Sequence, residues 1–117
     1  MEDCSCFTEK HGEIKRKLES SADYKNAVED MSKMFSLLGD ASRMKILLAL
    51  KEGELCVYRI CETIGGKQSA VSQHLRKLKD NRLVKSRKDG NQVLYSISDE
   101  HVVNIIDMAL QHRDCKD

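Results

Sequence analysis

The chain has 117 residues, enough for one domain with a modest core, and its formal net charge of +1 hides an uneven distribution. Lys67 to Lys88 carry eight bases against the single acid Asp80, whereas residues 1–66 hold ten bases and twelve acids and the remainder two bases and six acids. A basic block inside a near-neutral chain is the footprint of a polyanion binder, nucleic acid first. With no signal-peptide run and no stretch of membrane-span length, a cytoplasmic protein without a membrane partner is expected.

Residues 1–20 read as a flexible N-terminal arm whose notable chemistry is Cys4, Cys6 and His11, followed by one domain over residues 21–117. From Ala22 to Leu38 the residues Tyr24, Ala27, Val28, Met31, Met34, Phe35 and Leu38 line one helical face. Gly39 ends this helix and Asp40 is placed to cap the next, Ala41 to Leu50, which is apolar around most of its circumference and so is expected to be the most buried element. A short helix follows around Val57 to Ile64, with Cys56 and Cys61 at and within it, and Gly65-Gly66 is the strongest turn signal in the chain.

The next helix, Gln68 to Asp80, turns Val71, Leu75 and Leu78 inward at i, i+4, i+7 and presents Ser69, Ser72, Gln73 and Arg76 outward, with Lys77 and Lys79 on its flanks. Short helix, glycine turn and polar-faced second helix make a helix-turn-helix. Two short strands around Asp89-Gly90-Asn91, starting at Leu83 and Gln92, form a basic hairpin, the wing of a winged helix. The fold class expected is therefore mainly α with a β-hairpin wing.

The final helix, 99–113, carries Val102, Val103, Ile105, Ile106, Ala109 and Leu110 as an apolar stripe, capped by Ser98 or Asp99. Asp99 and His101 at one end, and His112 and Cys115 at the other, are ligand types for borderline metals. His101 and His112 point the same way but lie roughly 16 Å apart at ~1.5 Å per residue, too far for one ion to bridge. An antiparallel copy of the helix from a second subunit would bring Asp99 and His101 of one chain to His112 and Cys115 of the other, making two equivalent intersubunit sites. The spacing thus predicts a homodimer through the terminal helices as well as a metal.

Leu37-Leu-Gly-Asp-Ala-Ser-Arg43 with Ile46-Leu47, Glu54-Leu-Cys-Val57, Gln68-Ser-Ala-Val-Ser-Gln-His-Leu75, and Leu83-Val84 through Gly90 to Tyr95-Ser-Ile97 together resemble the ArsR/SmtB family of metal-responsive winged-helix repressors over roughly residues 25–115. Ala41 stands where the family commonly has proline. The Asp99, His101, His112, Cys115 set resembles the family's terminal-helix zinc-sensing pattern, with Cys115 in place of the more usual His or Glu, which softens the site. The resemblance also implies a second, thiolate site from Cys56 and Cys61 with Cys4 and Cys6 of the arm, with Tyr58 where the motif's second cysteine stands.

The function implied is transcriptional repression without catalysis. The metal-free homodimer binds double-stranded operator DNA and a metal ion releases it, zinc or cadmium by preference and lead or arsenite at the thiolate site, controlling metal efflux or detoxification. Ser69, Ser72, Gln73 and Arg76 would meet bases or phosphates in the major groove. Lys77, Lys79, Arg87 and Lys88 would contact phosphates, with the wing at Gly90 near the minor groove. In relatives with the terminal-helix site, a ligating imidazole donates its other N–H to a backbone carbonyl of the recognition helix, and Gln73 is the matching position. A redox-sensing repressor using Cys4 and Cys6 is the alternative.

Overall fold

The computed structural model describes residues 9–20 and 22–115. Six helices and three strands follow in the order α1 (Glu9–Ser20), α2 (Ala22–Leu38), α3 (Ala41–Lys51), β1 (Leu55–Cys56), α4 (Val57–Ile64), α5 (Gln68–Asp80), β2 (Val84–Asp89), β3 (Gln92–Ile97) and α6 (Glu100–Arg113). The chain divides into two compact units between Ser36 and Leu37.

In the first unit, the part of the expected flexible arm that is described is helical. Glu9 sits in the first turn, where the helix dipole favours a carboxylate. Glu13 and Lys17, and Ile14 and Leu18, stand at i,i+4, a spacing that suits a helix despite Gly12. Cys4 and Cys6 lie outside the described residues. Helix α2 has the expected bounds, yet Tyr24, Val28, Met31 and Phe35 along its apolar face are each about half exposed.

In the second unit, Asp40 caps α3 by accepting the Arg43 N–H at 3.0 Å. That bond holds its carboxyl below the usual carboxylate range, burial opposing and the charges of Arg43 and His74 assisting. Helix α3 buries Ile46, Leu47 and Leu50 but leaves Leu48 exposed, so it is core on one side and not all round as expected. Leu37 and Leu38, Ile60 of α4 and Val71, Leu75 and Leu78 of α5 complete the core with Leu83, Val84, Val102 and Ile106.

The sheet runs β1-β3-β2, all antiparallel. Strand β1 is two residues long, below what periodicity detects, and pairs Leu55 with Tyr95 and Cys56 with Leu94. The wing pairs Val84 with Ile97 through to Asp89 with Gln92.

Candidate nucleic-acid interface and metal centre

The turn between α4 and α5 depends on two glycines for different reasons. Gly65 ends α4 in the left-handed region at φ 73°, donating its N–H to Cys61 O at 2.8 Å. At Gly66 a Cβ would lie 3.1 Å from Val71 Cγ2, so the backbone passes close over the inner face of α5. With Val71, Leu75 and Leu78 buried, the geometry of the helix turns Ser69, Ser72, Gln73, Arg76, Lys77 and Lys79 out, and all six are exposed as expected. No side chain caps the N-terminus of α5, whose cap residue is Lys67 and whose first turn has no acid. That end therefore offers unpaired N–H groups and positive potential to an anion.

A groove of about 540 Å³ lies between α5 and the wing, lined by Ser72, Gln73, Leu75, Arg76, Lys79, Asp80 and Tyr95. Asp80 and Tyr95 were not expected at this surface; Tyr95 comes from β3, 15 or more residues along the chain, and only the folded sheet brings it there.

Helix α5 ends in a Schellman motif. Leu83 N–H donates to Leu78 O at 2.8 Å and Arg82 N–H to Lys79 O at 3.0 Å, while Leu78 and Leu83 are both buried. Arg82 takes the left-handed position at φ 62° where glycine is usual. Ser98 fixes it by donating Oγ–H to Arg82 O at 2.7 Å and N–H to Leu83 O at 3.1 Å, so the start of α6 is bonded to the exit of α5.

The wing turns at Gly90-Asn91, with positive φ (64°) at Gly90 alone of the two, the pattern of a II′ hairpin. Lys88 and Gly90 are exposed at its tip. Arg87 differs from what the basic block suggests, because its guanidinium grips Glu54: Nε to Oε2 and Nη2 to Oε1, each 2.8 Å. The bond holds Glu54 below the usual carboxylate range and pushes Arg87 further up. Arg87, expected as a phosphate contact, already has an anion, supplied from 33 residues away in the chain.

On α6, Asp99 is the N-cap, accepting N–H bonds from His101 at 2.9 Å and Val102 at 3.3 Å through Oδ1. His101 Nδ1 stands 3.4 Å from the same oxygen, and its side chain is 92% exposed. His101, Ile105, Met108 and His112 fall within an arc of about 60° at 3.6 residues per turn, away from the buried Val102 and Ile106. Met108, within this stripe, is 68% exposed. Cys115 continues the turn, donating its N–H to His112 O at 3.0 Å, and is exposed with His112.

The structure thus brings Asp99 to His101 and His112 near Cys115, one pair at each end. Among the described residues of one chain, no group of three or more His, Cys, Asp or Glu forms a metal cluster. Cys56 is the N-cap residue of α4 and Cys61 lies within that helix; both are free, partly exposed thiols, and Tyr58 is exposed.

Among the described residues no helix is long and apolar enough to cross a membrane. Residues 40–86, the span from the α3 cap into the wing, match the model of the bacterial regulatory protein arsR family. A cadmium resistance transcriptional regulatory protein CadC homolog of Staphylococcus aureus is 41% identical over 85 residues, 72% of this chain and 70% of that protein. A transcriptional repressor SmtB homolog of Synechocystis is 40% identical over 84 residues, and the match spans 72% of this chain and 64% of that one. The fold matches a homodimeric winged helix-turn-helix DNA-binding domain from Mycobacterium bovis with a TM-score of 0.74 at 27% identity, over 82% of this chain and 90% of that one. The helix-turn-helix, the wing and these similarities lead to one assignment: the chain belongs to the ArsR family of bacterial transcriptional regulators, winged-helix proteins and not enzymes.

Proposed function

We propose that this protein is a metal-sensing repressor: a homodimer that binds operator DNA without metal and leaves it when zinc or cadmium binds between the terminal helices. The observation that carries the reading is the stripe on α6. His101 and His112 share an exposed face turned away from the core, with Ile105 and the exposed Met108 between them. An apolar strip flanked by two half-sites suits a second, antiparallel copy of the same helix. Asp99 fits the part of ligand, since Oδ1 takes the cap bonds and Oδ2 is left for a cation. One carboxylate, two imidazoles and one thiolate make a four-ligand set for zinc, and the sulfur draws softer cadmium equally well. The ion would supply a fixed cross-link between subunits.

The relatives named for cadmium resistance and as an SmtB repressor support a metal effector in general terms. The exposed outer face of α5 supports duplex DNA as partner, with Ser69, Ser72, Gln73 and Arg76 toward the major groove and Lys77, Lys79 and Lys88 toward phosphates. A cytoplasmic site of action and control of efflux or detoxification genes go with that reading. Cys56 and Cys61, being partly exposed free thiols, favour a second site for lead or arsenite completed by Cys4 and Cys6. The same thiols would serve a redox-sensing repressor.

The test is a mixed dimer carrying one His101→Ala and one His112→Ala subunit. Ligands that cross the interface leave one zinc site intact and one destroyed, whereas two equally damaged sites would place each ion within one subunit. Titrating zinc, cadmium, lead and arsenite into the metal-free dimer under reducing conditions, with operator affinity as readout, separates metal sensing from thiol oxidation. An operator complex insensitive to all four ions but dissociated by oxidant would favour the redox reading.

A further inference from the structure

We propose that Glu54 is an internal competitor for DNA phosphate at Arg87, setting the strength and salt dependence of DNA binding; this rests on the DNA-binding reading above. Lys85 and Arg87 alternate with the buried Val84 along β2, so they share the outer face of the wing. Arg87 lies opposite Leu94, which in turn lies opposite Cys56, so one row crosses all three strands. Glu54, just before β1, reaches diagonally over the middle strand to the guanidinium.

Both carboxylate oxygens are used, and they meet the Nε–Nη2 edge of the guanidinium. That edge is one of the two forks with which arginine grips a phosphate bidentately, the Nη1–Nη2 edge being the other. A carboxylate therefore occupies one of the two places where a DNA phosphate would grip Arg87, and its charge offsets the guanidinium's. The pair is open to solvent, with the Arg87 and Glu54 side chains 56% and 38% exposed, so a polyanion can reach and displace it. Solvent and salt screen an exposed pair, although its bidentate geometry makes this one firmer than most.

Among the described residues Arg76, Lys77, Lys79, Lys85 and Lys88 form no ion pair. Arg87 is the base of the proposed DNA surface whose charge is already met inside the chain. Free protein thus presents one net cation fewer than its basic block implies, and Arg87 can offer its Nε–Nη2 fork to DNA only by leaving Glu54. The displaced carboxylate then faces the polyanion and opposes the complex.

Glu54→Gln keeps the side-chain shape and removes the competing charge. Glu52→Gln, two residues away, removes the same charge without freeing a guanidinium. Binding to a duplex of arbitrary sequence is measured against salt for wild type, both single variants, Arg87→Gln and Glu54→Gln/Arg87→Gln, with a thermal melt of each. Glu54→Gln should bind several-fold tighter than wild type, and its slope of log affinity on log salt should be steeper by about 0.9, because one cation is no longer offset by Glu54. In the Arg87→Gln background the same change should add no more than Glu52→Gln does in wild type.

The proposal is overturned if Glu54→Gln matches Glu52→Gln, or if its gain persists without Arg87. It is also overturned if Glu54→Gln weakens binding or only lowers the melting temperature, since the pair would then be a brace for the wing. Heparin elution of the same five proteins separates this from the DNA reading. Failure of wild type to bind any duplex sinks that reading, while later elution of Glu54→Gln than Glu52→Gln, dependent on Arg87, still supports the competition and co-elution overturns it.

Discussion

Lys51 Nζ sits 2.6 Å from Asp107 Oδ1, joining the last turn of α3 to the middle of α6. Asp107 falls between His101 and His112 in the helix that carries the proposed metal ligands, so this bond ties that helix to α3. The hydrogen bond to Asp107 pushes the Lys51 pKa up, with burial opposing it. A base whose pKa is raised by folding stabilises the fold fully below its ordinary value and loses that contribution as pH rises through the folded value.

Lys51→Met should therefore lower the melting temperature by a constant amount around neutral pH, with the gap closing above the ordinary lysine value of 10.5. Amide exchange should quicken in α6 more than in α5. A gap that stays flat into strong alkali would mean that the lysine stem, and not its charge, makes the contribution.

Gly65 and Gly66 should both resist replacement by alanine, for separable reasons. At Gly65 a Cβ meets nothing, but φ of 73° makes an L side chain cost about 1–2 kcal/mol in backbone strain. At Gly66 the backbone is permissive and the cost, about 1 kcal/mol, comes from crowding Val71 Cγ2 at 3.1 Å. Chemical denaturation of double variants tells them apart. Val71→Ala should relieve part of the Gly66→Ala loss and none of the Gly65→Ala loss.

Local patterns were enough to place α2, α4 and α5 at their observed ends, because apolar periodicity and the Gly39, Gly65 and Asp40 signals act within a few residues. Strand β1 escaped because two residues carry no period and its pairing with β3 is non-local. Helix α1 escaped because it buries no residue, so no apolar face marks it. The exposed face of α5 was legible as soon as Val71, Leu75 and Leu78 were recognised as core. Glu54 on Arg87 and Lys51 on Asp107 were not legible, since charge counts say nothing of which distant partner neutralises which base. The four proposed metal ligands rest on residue type, spacing and the family resemblance, and the fold adds that His101 and His112 occupy an exposed face.

DNA binding through α5 should be steep in salt and should depend on Arg76. Arg76 is exposed, lines the groove between α5 and the wing, and makes no ion pair among the described residues. Arg76→Ala should weaken operator binding while leaving the melting temperature nearly unchanged. If it contacts phosphate, the salt slope should fall by about 0.9. If it reads a base edge, the slope should hold and discrimination between operator and random duplex should drop by about 1–3 kcal/mol. A salt response that is flat in wild type would rule out the electrostatic footprint altogether.

His112 is the residue through which a metal ion should reach the DNA-binding surface. It is exposed on α6, and a ligating imidazole usually gives its second N–H to an oxygen acceptor, which fixes the ring and its tautomer. The family resemblance places that acceptor at the backbone carbonyl of Gln73, in α5. A helix carbonyl already accepts one N–H but keeps a second lone pair for the imidazole. Metal-fixed His112 would then hold the two recognition helices at a spacing that fits DNA poorly. The ion must bind that low-affinity arrangement more tightly, by a coupling of about 1–3 kcal/mol. Replacing His112 with Cys or Asp keeps a metal ligand and removes the second N–H. Both variants should still bind zinc, measured by competition with a chelating indicator, yet release operator poorly when zinc is added. Normal zinc binding together with normal release in either variant would show that the signal does not pass through this hydrogen bond.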